Sequence, residues 1–129
     1  MLVIFDFSAQ SGPQSDAQSL PFAQALQQLL PLSHETANRF VRKAAHFGIY
    51  FLLGGTLFGG FSTIPFSSFP RFKWFSFSEM TATLYALFDE WHQHFSAART
   101  PAFSDVCLDA AGAFCGVLAV FVLFWIFQR

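Results

Sequence analysis

The stretch AAGAFCGVLAVFVLFWIF, Ala110 to Phe127, decides the fold: every one of its residues is apolar or glycine. A helix of that length crosses the hydrocarbon of a bilayer. Its apolar character extends back through Val106, Cys107 and Leu108 past one carboxylate, Asp109. A second span runs from Ala44 to Ile64, with His46 as its only ionisable side chain, and Pro65, Ser67, Ser68 and Pro70 end it. A third stretch, Trp74 to Phe88 and on to Gln93, is shorter in apolar length and carries Glu79. It crosses only if its polar side faces other helices. The expected fold is all-α: a small polytopic transmembrane helical bundle with spans at 44–64, 74–93 and 105–127.

Composition agrees. The chain has 129 residues, enough for one module; 53% are hydrophobic, only 12% are charged, and 20 are phenylalanine. That charged fraction is roughly half of what a soluble domain carries. Seven Lys+Arg against eight Asp+Glu give a formal charge of −1, which leaves no basic excess for a run of phosphates and excludes nucleic acid as a natural partner. Cys107 and Cys115 are eight positions apart, about 12 Å of helical rise, beyond disulfide reach.

The first forty residues differ. Met1 to Phe5 are apolar but Asp6 follows at once and no Lys or Arg precedes, so Met1 to Phe7 reads as the remnant of a first span and not as a signal peptide. Ser8 to Ser19 reads as a loop rich in Ser, Gln, Gly and Pro. Phe22, Leu26, Leu29 and Leu30 then recur with helical spacing on a polar, uncharged background, which predicts a short interfacial helix over 20–30. Pro31 stops it, and Ser33 is placed to cap the helix that leads into the next span. Arg39, Arg42, Lys43 and Arg99 fall on one side, Arg71, Lys73 and Arg129 on the other, a split too even for the positive-inside rule to orient.

Ionisable side chains near a bilayer centre cost roughly 2.5–3.5 kcal/mol on insertion scales, so a span that keeps several uses them. On a regular helix Tyr85, Asp89 and His92 lie within about 60° of one another, with Thr81 beside them and Gln93 at the margin. Asp105, Asp109, Gly112 and Gly116 share one face of the last span, two carboxylates running into a GxxxG strip. Arg42, His46 and Tyr50 share a face, with Lys43 adjacent. If the spans alternate in direction, the Lys43/His46, Asp89/His92 and Asp105/Asp109 ends all meet at one membrane face. Taken singly, Arg42, Lys43 and Asp105 also suit interfacial anchors, and Asp89 to His94 suits a polar helix end. Asp109 resists that reading because it lies about a turn inside an apolar span. No cofactor motif is present. Glu90 and His94 are spaced to share a metal, but there is no HExxH and no second paired ligand set, so no metal site is expected.

Four blocks in order, Ser8, Gln10, Gly12 and Ser15 in a polar loop, RKAAHFGIY (Arg42 to Tyr50), YALFDEWHQHF (Tyr85 to Phe95), and Arg99 with SDVCLDAAGAFCG (Ser104 to Gly116), resemble the VanZ-like family of bacterial membrane proteins. The resemblance aligns Arg42, Lys43, His46 and Tyr50 with the family's first block, Asp89, Glu90, His92, Gln93 and Phe95 with its second, and Arg99, Asp105, Asp109, Gly112 and Gly116 with its third. It implies a multi-pass protein of the bacterial cytoplasmic membrane with these residues toward the outer face. It also implies a link to resistance to teicoplanin, a glycopeptide that binds wall precursors. Family members usually begin with a complete first helix, whereas this chain starts at what reads as its tail.

The expected function is to engage an anionic cell-envelope amphiphile, a membrane lipid or lipid-linked wall precursor. Arg42, Lys43 and Arg99 would bind phosphate or carboxylate, and Asp89, Glu90, His92 and Asp109 would form an acid/base cluster, bordered by His46, Tyr50, Tyr85, Gln93 and Asp105. A rival expectation makes the protein an intramembrane hydrolase or transferase, with Asp89 or Glu90 as general base and His92 shuttling protons. A third makes it a structural or accessory subunit of an envelope complex.

Overall fold

A computed structural model describes residues 12–64, 70–93 and 102–127. Among them the chain is helical, with no strand: α1 Gly12–Leu29, α2 His34–Ser62, α3 Arg71–Gln93 and α4 Phe103–Phe127. The long helix α2 is the hub. It packs against each of the other three, most extensively against α4, and α3 closes the group by packing on α4.

Local chemistry sets the helix ends. Ser33 caps α2 in extended backbone, its hydroxyl accepting from the Thr36 amide at 3.3 Å, with Glu35 in the first turn where the helix dipole favours a negative charge. At the far end the Thr63 amide and hydroxyl both donate to the Gly60 carbonyl, at 3.2 and 2.7 Å, and the prolines that follow prevent continuation. The amide of Ala102, just ahead of α4, donates to Glu90 Oε1 at 2.6 Å, which ties the end of α3 to the start of α4.

Helices α2 and α4 approach at backbone distance. A Cβ added at Gly54 would overlap the Ala113 backbone, one at Gly112 the Phe47 carbonyl, and one at Gly116 the Phe51 carbonyl. The GxxxG strip is thus a seam without side chains on which α2 lies. Around it the core is small: Tyr50, Leu53, Ala82, Ala86, Val106 and Ala113 form one buried cluster. Large apolar side chains face outward instead, including Leu52, Leu84, Phe114, Leu123 and Trp125.

Helices α2 and α4 are long and apolar enough to cross a membrane. The expected third span does not meet that criterion. At 23 residues α3 is long enough, roughly 35 Å, but Arg71, Lys73, Glu79, Asp89 and Glu90 lower its hydropathy. Its polar groups are nevertheless distributed: Ser78 and Asp89 are buried inside, while Met80, Leu84, Leu87, Phe88 and Trp91 face out.

The structure also corrects the reading of the N-terminal region. Gly12 to Ser19, expected in a loop, is helical and continuous with the expected surface helix, so α1 begins eight residues early and carries Pro21 inside it. Pro13 falls in the first turn, where a missing N–H costs nothing. Pro21 leaves the Ala17 carbonyl without its usual donor. Tertiary contacts to α2 override this loop-forming composition. Asp16 Oδ1 accepts from Asn38 at 2.9 Å and pairs with Arg42 at 3.2 Å, Ser19 Oγ meets Asn38 Oδ1, and Ala23 and Ala37 are fully buried. The segment read as a first-span remnant, Met1 to Phe7, lies outside the described residues, as do His94, Phe95 and Arg99 and the side chain of Gln93.

Candidate functional site

The first half of α2, the end of α3 and the beginning of α4 come together at one end of the bundle. The face of α2 that carries Lys43, His46 and Tyr50 turns toward the other two helices, and successive turns descend from surface to interior. At the rim Lys43 Nζ pairs with Asp105 Oδ1 at 2.9 Å, both side chains about half exposed. One turn further in, His46 Nδ1 faces Asp109 Oδ1 at 3.7 Å, too long for a hydrogen bond. Asp109 is 4% exposed, and from α3 Asp89, at 2%, joins it. One donor atom from each of His46, Asp89 and Asp109 lies within 4.8 Å of the other two. Another turn in, the fully buried Tyr50 packs against Tyr85 with ring centroids 6.4 Å apart.

This arrangement is electrostatically expensive. Two carboxylates with little water between them repel each other and oppose burial. Among the described residues no Lys or Arg pairs with Asp109, and its Oδ1 has no hydrogen-bond partner. The buried Tyr50 hydroxyl is also without a partner among the described residues.

The predicted site residues divide into three groups. Lys43, His46, Tyr50, Tyr85, Asp89, Asp105 and Asp109 gather at this end. Arg42 is turned away onto Asp16 of α1, at 3.2 Å. Asp89, Glu90 and His92, grouped as acid/base residues from the sequence, separate. Neighbours on a helix point about 100° apart, so with Asp89 inward Glu90 is directed to the Ala102 amide. The half-buried His92 lies one turn further along, and His46 of α2 stands beside the two aspartates in its place. Sequence reasoning missed Asp16, Asn38 and Ser19, which hold α1 on α2. Isolated polar residues in a Ser/Gln-rich stretch give no signal for a contact some twenty positions away.

A sequence model of the VanZ/LLP1 family matches residues 1–127. Neither a curated protein nor a solved structure matches the chain.

Proposed function

Since the chain belongs to the VanZ/LLP1 family, we propose that it is a multi-pass protein of the bacterial cytoplasmic membrane. In this reading it holds the anionic headgroup of a cell-envelope lipid or lipid-linked wall precursor at the outer face. The observation that carries the reading is the graded end of the bundle. A half-exposed lysine ion pair, Lys43–Asp105, sits one turn of α2 from a partly buried imidazole and two buried carboxylates, and the helices around it turn apolar side chains outward.

The third helix crosses with the other two. Its inward Ser78 and Asp89 and outward Met80, Leu84, Phe88 and Trp91 are what a polar-stripe span requires when its stripe is covered by neighbouring helices. A crossing α3 returns the chain to the face where α2 began, which brings Lys43, His46, Asp89, Asp105 and Asp109 toward one face. There a phosphate or carboxylate exchanges with Asp105 for Lys43 at the rim, gaining charge-assisted hydrogen bonds. A link to glycopeptide resistance follows if the amphiphile is a wall precursor.

The test is lipid selection. Purified protein in nanodiscs should retain phosphatidylglycerol or a polyprenyl phosphate in preference to phosphatidylcholine when bound lipids are read by native mass spectrometry. Lys43→Met should reduce that preference roughly fivefold, corresponding to about 1 kcal/mol for one interfacial cation. Equal retention of anionic and zwitterionic lipids by the wild type would overturn the reading.

A further inference from the structure

We infer that His46, Asp89 and Asp109 form a binding site for a divalent transition-metal ion. Three helices each supply one donor, an imidazole nitrogen and two carboxylate oxygens, within 4.8 Å of one another. A tetrahedral ion with bonds of about 2.0–2.1 Å has its ligands roughly 3.4 Å apart. The 3.7 Å between His46 and Asp109 is already near that value, and small side-chain rotations draw the third donor in.

Three observations separate this triad from an ordinary cluster of acids. Asp89 and Asp109 are 2% and 4% exposed, so they are not a solvated surface pair. The Oδ1 of Asp109 points at the other donors with no hydrogen-bond partner among the described residues, the situation of a ligand atom whose partner is an ion. Charge is the third: a dication offsets the repulsion between two buried carboxylates, and among the described residues no Lys or Arg pairs with Asp109. The nearest lysine along α2, Lys43, is spent on Asp105 at the rim.

The donor set selects the kind of ion. One nitrogen and two oxygens disfavour Ca²⁺ and Mg²⁺, which take oxygen shells, and the absence of thiolate disfavours Cu⁺, leaving Zn²⁺, Mn²⁺ or Fe²⁺. Three protein ligands leave coordination positions open for water or an anionic oxygen. The buried Tyr50 hydroxyl, one turn further along α2 from His46 and without a hydrogen-bond partner among the described residues, is available to hold such a ligand by a hydrogen bond. The site goes beyond the headgroup reading and stands without it, because metal binding is measured in the absence of any lipid ligand.

The experiment is equilibrium binding of Zn²⁺ and Mn²⁺ to detergent-purified full-length protein carrying a non-histidine tag and Cys107→Ser and Cys115→Ser, so that thiols contribute nothing. The expected result is saturable binding of about one ion per chain, with a rise in melting temperature. Asp109→Asn and His46→Gln should each weaken binding by at least roughly 100-fold, the upper end of what loss of an outer-shell partner already costs. Arg39→Gln, on an exposed pair elsewhere on α2, should leave it unchanged. Absence of saturable binding by the wild type at micromolar metal overturns the site, and so does unchanged affinity in an Asp109→Asn protein that melts cooperatively. If both variants fail to fold, the wild-type titration alone decides.

Discussion

The two ends of this bundle are built from the same three helices by opposite means. At one end α2, α3 and α4 meet through Lys43–Asp105, His46–Asp109 and Asp89. At the other they meet through rings. Phe61 of α2 stacks on Trp74 of α3 at 5.8 Å and meets Phe77 edge-on at 5.0 Å, while Phe58 lies edge-on to Phe121 and Phe124 of α4 at 5.8 and 6.1 Å. Ring packing gains dispersion energy from many weak contacts and tolerates exchange among apolar shapes. A buried charge cluster depends on a few atoms and tolerates nothing that leaves one of them uncompensated. The aromatic end therefore serves to hold the helices together, and the polar end, which costs stability, is where function is to be sought.

The seam that joins the two ends sets the largest expected effect. Gly116→Leu places a branched side chain where even a Cβ overlaps the Phe51 carbonyl. Backbone is on both sides and no side chain can move aside, so α2 and α4 must separate. The expected cost exceeds the ~3 kcal/mol usual for overpacking. Loss of monodisperse protein on size-exclusion chromatography in mild detergent checks it, and a normal yield with normal melting would show that the helices are not locked at this distance.

Next comes the polar end. Asp109→Ala removes a buried carboxylate and strands His46, and removal of one partner of a buried pair costs about 3–5 kcal/mol. At the aromatic end Phe58→Leu, a near volume-conserving change at a fully buried position, should cost less than about 1.5 kcal/mol. Measured together by steric-trap or detergent unfolding, the two variants invert the ranking expected of a soluble core, where the large aromatic would matter most. If Phe58→Leu proved the more damaging, the contrast between the ends would fail.

Much of this was legible in the sequence. The apolar run to Phe127 and the proline-ended stretch from Ala44 identify α4 and α2, because a helix apolar enough to cross a membrane announces itself by composition alone. The gathering of Lys43, His46, Asp89, Asp105 and Asp109 was legible too, since each sits on an identifiable helix face and alternation of direction does the rest. Three things were hidden. Gly12 to Ser19 is helical because Asp16 and Ser19 engage Asn38 and Arg42, contacts between distant positions that no local propensity encodes. Glu90 and Asp89 are adjacent and chemically alike, and only the rotation of α3 in its packed state turns one inward and the other to Ala102. The partnership of His46 with the aspartates depends on how far α2 slides along α4, which the glycine seam fixes and a helical wheel cannot show.

The smallest effect separates depth from chemistry within the polar end itself. Lys43–Asp105 and His46–Asp109 are consecutive pairs between the same two helices, one turn apart on α2, yet the first is 54% and 43% exposed and the second 25% and 6%. An ion pair at the rim exchanges one hydrated environment for another and contributes about 0–1 kcal/mol, so Lys43→Met should barely move the unfolding midpoint, however strongly it affects headgroup retention. A double-mutant cycle on Lys43 and Asp105 should return a coupling well below that of the cycle on His46 and Asp109, where desolvation leaves each group dependent on the other. Equal couplings would mean that water reaches the deeper pair as freely as the rim, and the inner aspartates would then need no compensating ion.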